Sequence, residues 1–325
     1  MDNSSSSLTE NSIKLTSWSL LQSKPFNPIK FVIDDLLPPG ITLLSGRPKQ
    51  GKSWLVHAML LKVAAGQNVF GLNTLQCETL YMALEDSERR LRARTLKLMK
   101  SYDITDKDIN NRFHLTTESK TLGNGLEEQL IELLTINPKI KFVVIDVLAR
   151  VRQAKKGNQG VYEYDYETGR RLKEVAKSHP DVAFLIVHHN NKGDGDSLDS
   201  VSGSHGLTGG VDNALVMMNT GTGIELHING RDIEESSPII LSKSDDGMWS
   251  LEGRANAKSH TNSDTRNDVI KAVKEGHKTP KDIAKASGLK QGTVSQQLRR
   301  MVNSGELEKQ KRGTYDLPNN PTCNP

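Results

Sequence analysis

The sequence predicts an α/β fold with a mainly parallel sheet, followed by a small helix-turn-helix domain. Two observations lead to this fold class. Short apolar runs rich in β-branched residues alternate with helix-length amphipathic segments over most of the chain, which is typical of parallel sheets covered by helices. The C-terminal segment instead combines helices separated by a short turn with an excess of positive charge.

A glycine-rich turn follows the first strong apolar run. Residues 46–53, GRPKQGKS, match GxxxxGK followed by Ser or Thr, with a β-rich run at 41–44 before them and a helix-like run at 52–65 after them. Backbone N–H groups of such a turn converge on one spot and favour phosphate. A chance match is the alternative, and the flanking strand and helix argue against it. The residues expected to bind nucleotide are Gly46, Arg47, Pro48, Lys49, Gln50, Gly51, Lys52, Ser53 and Trp54.

Distinct roles are expected within this P-loop. Gly46 and Gly51 let the backbone approach phosphate closely. Lys52 is expected to reach the β- and γ-phosphates of ATP, and the Ser53 hydroxyl to bind Mg²⁺. Asp146 ends the apolar strand FVVI in the Walker B pattern and is expected to hold the magnesium shell. Because many strands end in aspartate, this assignment depends on the P-loop.

Acidic residues follow the next strand, at 78–84. An acid here can polarise the water that attacks the γ-phosphate. Glu85 is favoured because its longer side chain leaves room for a water molecule. The alternative is a helix cap, since Asp86 or Ser87 would cap the helix expected at 87–102. Both can hold, with Glu85 catalytic and Asp86 capping.

Two adjacent histidines, His188 and His189, end the strand at 182–187. Ligands of open α/β sheets lie at such strand ends, so a polar residue here is placed to sense the γ-phosphate. The pattern does not choose between the two histidines, and a structural histidine is the alternative. Zinc is disfavoured because the sequence offers no further ligands at zinc-like spacing.

Two glycine- and charge-rich loops, 153–160 and 192–210, follow these strands. Lys155, Lys156 and Lys192 are expected to contact a phosphate backbone. An ordinary solvated loop is the alternative for any single lysine.

Arg231 lies in a turn between late strands. An arginine there can reach the γ-phosphate of a neighbouring subunit as an arginine finger. The alternative is a surface ion pair with Asp232 or Glu234.

The expected domains are an ATPase domain at 25–253, a linker at 254–263 and a winged-helix domain at 264–317, flanked by a disordered tail at 1–24 and a tail at 318–325. The other expected elements are a strand and turn at 30–37, a strand at 112–115, helices at 126–134 and 164–178, and late strands at 211–218, 223–229 and 239–242.

The C-terminal segment has the element order of a winged helix. Residues 266–274 are helix-periodic, Thr279 and Pro280 open a second helix, and a third helix is expected at 291–303 after a short turn. This is helix-turn-helix spacing, and a hairpin with a basic tip follows.

Charge favours DNA as the partner of this segment. Residues 258–317 contain 13 Lys or Arg and 7 Asp or Glu, a net +6 against +4 for the whole chain. The alternative is a protein-binding winged helix. The residues expected to contact the major groove, or to lie on the wing, are Lys290, Gln291, Thr293, Ser295, Gln296, Arg299, Lys311 and Arg312.

Composition argues against a membrane protein. The sequence has no run of about 18 apolar residues, and its serine-rich start lacks the apolar region of a signal peptide. Cys77 and Cys323 lack metal-like spacing. A cytoplasmic location is therefore expected.

Five motifs occur in the order of a known group: GRPKQGKS, the acid pair in ALED, FVVID, VHHNNK and SGSHGLTGGVDNALV. Over residues 31–253 the sequence resembles the RecA-type ATPases of the plasmid RepA and DnaB hexameric helicase group, of the AAA_25 type. The resemblance implies a RecA-like P-loop NTPase core, hexameric rings with ATP between subunits, and single-stranded DNA in the central channel.

The resemblance also implies a role for each matching position. Lys52 and Ser53 would hold phosphate and magnesium, Glu85 would be the catalytic base, Asp146 the Walker B acid, and one of the two histidines the sensor. The two loops would contact DNA. The plasmid helicases carry an arginine finger shortly after a VDN-like segment, where this sequence has Ala and Leu, so Arg231 is the remaining candidate.

These features predict an ATP-dependent DNA helicase or translocase, of a replicative type, from a plasmid, phage or other mobile element. The winged helix would bind duplex or origin DNA, or a replication protein. One alternative is a RecA/RadA-like recombination mediator, and another is an ATP-gated DNA-binding regulator that does not translocate. Metabolic P-loop kinases fit poorly because a DNA-binding module is appended.

Overall fold

The structure, a computed structural model, describes residues 15–26, 28–155, 157, 160–189, 207, 210–220, 223–233, 237–244, 247–254, 262–289, 291–303, 306–310 and 313–317.

A nine-stranded sheet organises the larger part of the molecule, with the strand order β3-β2-β4-β5-β1-β6-β7-β8-β9. The strands from β3 to β6 in that order pair in parallel, and β6 to β9 pair antiparallel. This confirms the predicted α/β class with a mainly parallel sheet. The strands are β1 Gly40–Gly46, β2 Glu78–Ala83, β3 Phe113–Thr116, β4 Ile140–Asp146, β5 Ala183–His189, β6 Asn213–Thr220, β7 Gly223–Gly230, β8 Ile239–Lys243 and β9 Trp249–Arg254.

Helices cover both faces of this sheet. Leu44 of β1 packs in the cluster that includes Leu55 and Met59 of the first long helix, and Leu43 packs in the opposite cluster. The central strands are therefore buried on both faces, which explains their continuous apolar sequences. The helices of this part are α1 Trp18–Ser23, α2 Lys52–Ala65, α3 Glu88–Tyr102, α4 Asp106–Ile109, α5 Leu126–Ile136, α6 Leu148–Val151 and α7 Val161–Ser178.

The C-terminal unit has its own core, which includes Val269, Ile283, Val294 and Leu298. The Thr279 side chain accepts a hydrogen bond from the Asp282 backbone N–H, as expected for the helix cap. The predicted helix-turn-helix and small hairpin are both present. Their elements are α8 Asn262–Lys274, α9 Pro280–Ser287, α10 Gln291–Asn303, β10 Glu308–Gln310 and β11 Thr314–Asp316.

Three local expectations differ from the structure. Of the strand and turn predicted at 30–37, the turn is present, at Asp35, where φ is 56°, but the strand is not, since Ile33 makes only isolated bridges, to Leu37 and Thr74. Within the expected disordered tail, residues 18–23 form α1, whose side chains are all exposed. Strand β9 was not predicted because its polar residues form no apolar run.

Among the described residues, no helix is long and apolar enough to cross a membrane.

Candidate functional site

The P-loop connects the end of β1 to the start of α2, at the edge of the sheet where the parallel strands end. Glycine is required here for steric reasons. A Cβ on Gly46 would lie 2.5 Å from the Gln50 Oε1 atom, and a Cβ on Gly51, whose φ is 92°, would lie 2.9 Å from Trp249 Cζ2. The loop is therefore closely packed from behind, and its backbone is shaped before any ligand binds.

Lys52 is the first residue of α2 and lies almost fully buried beneath the P-loop. Its ammonium group donates hydrogen bonds to the carbonyl oxygens of Gly46, at 2.7 Å, and Arg47, at 2.8 Å. Burial lowers the pKa of Lys52 to about 8, and the negative charge of Asp146 partly opposes this shift. Burial thus disfavours the charged form of Lys52, and an anion bound in the loop would stabilise that form.

Asp146 is buried at the end of β4, beside Ala83 of β2. The Tyr81 hydroxyl donates a hydrogen bond of 2.7 Å to its Oδ2 atom and lies 3.5 Å from the Ser53 carbonyl oxygen. Burial, followed by the charge of Asp146, raises the pKa of Tyr81 well above its usual value. Tyr81 therefore stays protonated and fixes the carboxylate close to the start of α2. Sequence reasoning missed this residue, because a tyrosine within an apolar strand reads as core.

The two acidic residues after β2 lie in different environments. Asp86 pairs with Arg90, at 2.7 Å, and with Arg94, at 2.8 Å. Glu85 is exposed, and the backbone places it next to Asp146, whose carbonyl accepts the N–H of Leu84. Of the two expected cap residues, Ser87 is the N-cap of α3, although its side chain makes no capping hydrogen bond. Asp86 does not cap the helix and is held by the two arginines.

The two histidines at the end of β5 have different neighbours. His189 pairs in register with Gly46 of the P-loop. Burial and then the charge of Lys52 lower its pKa, whereas Glu85 and Asp146 oppose that shift. Burial lowers the pKa of His188 to about 4. Among the nearby charged groups, Arg152 has the largest effect on this pKa. The structure therefore surrounds His189, more than His188, with the other candidate site residues.

Arg152 begins the predicted loop at 153–160 and forms a buried cluster that the sequence did not suggest. It pairs with Asp165 of α7, donates to the Thr168 hydroxyl at 3.3 Å, and lies 4.5 Å from the centre of the Tyr164 ring. The cluster ties both ends of this loop to the sheet beside His188.

Trp54 follows Ser53 in α2 and is partly buried. Three cations lie near its ring: Arg94 at 5.1 Å, Lys243 at 5.6 Å and Lys97 at 5.8 Å. Gly247 packs so closely that a Cβ there would lie 2.3 Å from the indole. Trp54 therefore supports the outer side of the P-loop helix.

Arg231 lies at the opposite edge of the sheet from the P-loop of its own chain. It follows Gly230, which pairs with Asn213, and Asn213 pairs with Thr42 near the beginning of β1. The side chain is 67% exposed, and its Nη1 atom lies 3.9 Å from Asp212. The recorded partner is thus Asp212 and not the expected Asp232. Glu234 lies outside the described residues.

The structure describes part of the predicted DNA-contact set. Lys155 is exposed. On α10, Gln291, Thr293, Gln296 and Arg299 are exposed, and Ser295 is partly buried. Because Val294 and Leu298 of the same helix are buried, the helix presents one polar face. Lys156, Lys192, Lys290, Lys311 and Arg312 lie outside the described residues.

The donor set fits a magnesium–nucleotide complex. The Ser53 hydroxyl and the Asp146 carboxylate are oxygen ligands, which Mg²⁺ prefers, and the glycine-lined loop with Lys52 matches a polyphosphate. Within the described ranges, no group of three or more His, Cys, Asp or Glu residues is arranged to hold a metal ion, so nothing there forms a zinc-like cluster.

Comparison with known proteins agrees with this geometry. A family model described as AAA domain (AAA_25) matches residues 9–195, and one described as bacterial regulatory protein, arsR family, matches residues 263–309. No curated protein matches the chain.

Three solved structures are similar to this chain at low identity. The ATPase domain of G40P is 14% identical, with a TM-score of 0.52, over 65% of this chain and 84% of that one. A DnaB-like replicative helicase is 11% identical, with a TM-score of 0.49, over 67% and 58%. The RadB recombinase is 16% identical, with a TM-score of 0.45, over 65% and 90%. The first of these shows that the larger part shares the fold of that ATPase domain.

Proposed function

The chain belongs to the AAA domain family AAA_25, and we propose that it is an ATP-dependent DNA helicase or translocase that hydrolyses ATP at the subunit interfaces of a ring. The observation that carries the proposal is the convergence of Lys52, Asp146, Glu85 and His189 at the edge of the sheet where the P-loop lies. A helicase-like RecA-fold ATPase with a DNA-binding module is the class that this site and fold support.

In the proposed site, Lys52 and the P-loop amides bind the β- and γ-phosphates of ATP. Ser53 and Asp146 would hold Mg²⁺, which neutralises phosphate charge when it is bound. Tyr81 keeps the Asp146 carboxylate in place. The lysine exchanges its hydrogen bonds to the loop carbonyls for phosphate oxygens, which satisfies its buried charge.

Glu85 is the proposed base that orients and deprotonates the attacking water. Its neighbour Asp86 is bound to two arginines and therefore supports α3. His189, which lies beside Gly46, is the proposed γ-phosphate sensor. Arg231 is the proposed arginine finger. Because it lies at the opposite edge of the sheet from the P-loop of its own chain, it would serve the site of a neighbouring subunit.

DNA would be held at two places. Lys155, Lys156 and Lys192 on the two loops would contact single-stranded DNA in the channel of a hexameric ring. The polar face of α10 and the basic wing would bind duplex or origin DNA, or a replication protein. A replicative role in a plasmid, phage or other mobile element completes the proposal.

An ATP-gated DNA-binding regulator without translocation is the second candidate. It is favoured by one observation, the match of residues 263–309 to a regulatory helix-turn-helix family. In that case nucleotide would switch the C-terminal unit, and single-stranded DNA would not change the ATPase rate.

The test is the ATPase rate with and without single-stranded DNA, while light scattering follows the assembly mass with ATP present. Strong stimulation together with a ring-sized mass supports the motor. A monomer or dimer with unstimulated turnover would favour the regulator. Lys52→Ala should abolish nucleotide binding or turnover, whereas Lys139→Ala, at an exposed lysine outside the P-loop, should retain both. Intact hydrolysis by Lys52→Ala would overturn the site assignment.

A further inference from the structure

Helix α3 is much more basic than the domain that carries it. Its 15 residues contain six Lys or Arg and one Glu, a net charge of +5. With residues 258–317 also set aside, the rest of the chain has 24 basic and 31 acidic residues, a net charge of −7. The positive charge of the larger part is therefore concentrated on this helix.

Apart from Lys97, which lies 5.8 Å from the centre of the Trp54 ring, the basic residues of α3 fall into two groups. Arg90 and Arg94 pair with Asp86 at the start of the helix. Arg89, Arg92 and Lys100 are exposed, and in the part of the chain that the structure describes they make no hydrogen bond or ion pair. Other exposed arginines of the larger part can be paired, as Arg170 is with Glu167 and Glu174.

This arrangement does not favour the isolated helix. Arg89 and Arg90 lie in the first turn, where the helix dipole disfavours positive charge. Arg89 and Arg92 are three residues apart, so these two like charges are neighbours on the helix surface, whereas Arg90 and Arg94 are joined by Asp86. A bound polyanion would offset both the unfavourable interaction with the helix dipole and the repulsion between like charges. A surface that contacts only water would gain nothing from this arrangement of charges.

We propose that the row formed by Arg89, Arg92 and Lys100, here called the α3 row, contacts the phosphate backbone of duplex DNA. The row is a third DNA contact, separate from the two loops and from the C-terminal unit. Eleven residues of helix rise span about 16 Å, which corresponds to roughly five phosphates of one DNA strand. Arginine suits such phosphates because its guanidinium binds them in a forked geometry.

Duplex DNA fits the α3 row better than a single strand does. Single-strand sites combine cations with aromatic side chains on which bases stack. The side chains exposed between the cations of the row are Ala93, Leu96 and Lys97, and none of them is aromatic. A contact made through backbone phosphates alone carries no sequence preference.

The test uses the full-length protein without ATP, so it does not depend on the proposed ATPase cycle. The double variant Arg92→Glu, Lys100→Glu is compared with Lys139→Glu, Lys177→Glu, which has the same charge change at exposed lysines of the same part of the chain. The probes are a mixed-sequence duplex of about 30 base pairs, roughly three helical turns, and a single strand of the same length. Affinity is measured across a series of salt concentrations.

The α3 variant is expected to bind the duplex about tenfold or more weakly than the control at low salt, and its salt slope should be smaller by about two. Melting temperature and ATPase rate without DNA should match the control. The glutamine versions of both variants repeat the comparison without introducing acidic residues.

Three results would overturn the proposal. One is duplex affinity and salt slope equal to those of the control. Another is a loss confined to the single-stranded probe. A third is unchanged duplex binding with a smaller assembly mass in light scattering, which would make α3 a surface that contacts protein.

Discussion

The Tyr81 hydroxyl donates a 2.7 Å hydrogen bond to Asp146 Oδ2 in a site where both side chains are buried. The bond connects neighbouring strands, β2 and β4, at the level of the P-loop. It gives the carboxylate one defined orientation, because an unpaired buried carboxylate would be costly. The proposed magnesium ligand is thus positioned by a residue that does not itself touch phosphate.

Tyr81→Phe should raise the Mg²⁺ concentration needed for half-maximal ATPase activity by about tenfold, because the proposed metal ligand loses the residue that holds it in place. It should also lower the free energy of unfolding by about 1–3 kcal/mol, because a buried acceptor loses its donor. A magnesium titration of the ATPase rate checks this. The control is Tyr102→Phe, whose hydroxyl bonds the Trp249 backbone, and whose magnesium dependence should not change. An unchanged magnesium dependence of the ATPase rate in Tyr81→Phe would show that this tyrosine does not affect the metal site.

Glu85→Gln should still bind ATP but hydrolyse it about a hundredfold or more slowly. The substitution removes the carboxylate that acts as the base but keeps a side chain of the same shape. The neighbouring change, Asp86→Asn, removes the charge that holds Arg90 and Arg94 and should mainly lower the melting temperature. Single-turnover hydrolysis and thermal melting of both variants separate the two roles. Equal turnover of Glu85→Gln and the parent would move the base elsewhere.

Nucleotide affinity should fall at alkaline pH. Burial lowers the pKa of Lys52 to about 8 in the nucleotide-free protein, so the ammonium form that binds phosphate is depleted above that pH. The dissociation constant should then rise about tenfold per pH unit above 8. Titration with a fluorescent ATP analogue between about pH 7 and pH 9.5 brackets the Lys52 pKa and measures this. Lys139→Met, at an exposed lysine outside the P-loop, should keep the same profile, and a flat profile in the parent protein would contradict the prediction.

Acid should destabilise the protein through His188. Its pKa is lowered to about 4 from 6.5, so protonation favours the unfolded chain, and the stabilising contribution present above pH 6.5 is lost as the pH falls toward 4. At pH 5 the loss is about 2 kcal/mol. Melting curves of His188→Asn should therefore show a smaller acid-dependent decrease than those of the parent. A decrease equal to that of the parent would show that His188 is not the group responsible.

His189→Asn tests the sensor assignment separately. Because His189 lies in register with Gly46, its loss should reduce ATP turnover about tenfold or more, with a smaller change in nucleotide affinity. His188→Asn is the matched control on the same strand, and its turnover should fall less. A larger loss for His188→Asn would reverse the assignment.

Arg231→Ala and Lys52→Ala should complement each other if Arg231 acts on a neighbouring site. Each variant alone should be inactive, and an equal mixture should recover about a quarter of the parent rate, because that fraction of randomly formed interfaces has both residues intact. The measurement is the ATPase rate after subunit mixing. Parent-like turnover of Arg231→Ala alone would leave this arginine as a surface residue near Asp212.

Local sequence patterns were enough to predict the fold class, the P-loop, the acidic residues after β2 and at the end of β4, and the helix-turn-helix. These features are readable because each depends on a short contiguous segment. A glycine-rich turn between a strand and a helix has one backbone shape, and a capped helix after a short turn has its own pattern. Where local sequence was ambiguous, as at 30–37 and at the polar strand β9, the prediction failed.

The contacts between side chains, in contrast, depend on how distant segments pack together. Asp86 was expected to cap α3, but side-chain packing brings Arg90 and Arg94 to it. The sequence placed His188 and His189 at one strand end, and the pairing of β5 with β1 put His189 beside Gly46. Tyr81 reaches Asp146 because β2 lies next to β4, and Arg231 lies away from its own P-loop because β7 runs antiparallel to β6. Each of these outcomes depends on strand order and register between distant segments, which no local pattern specifies.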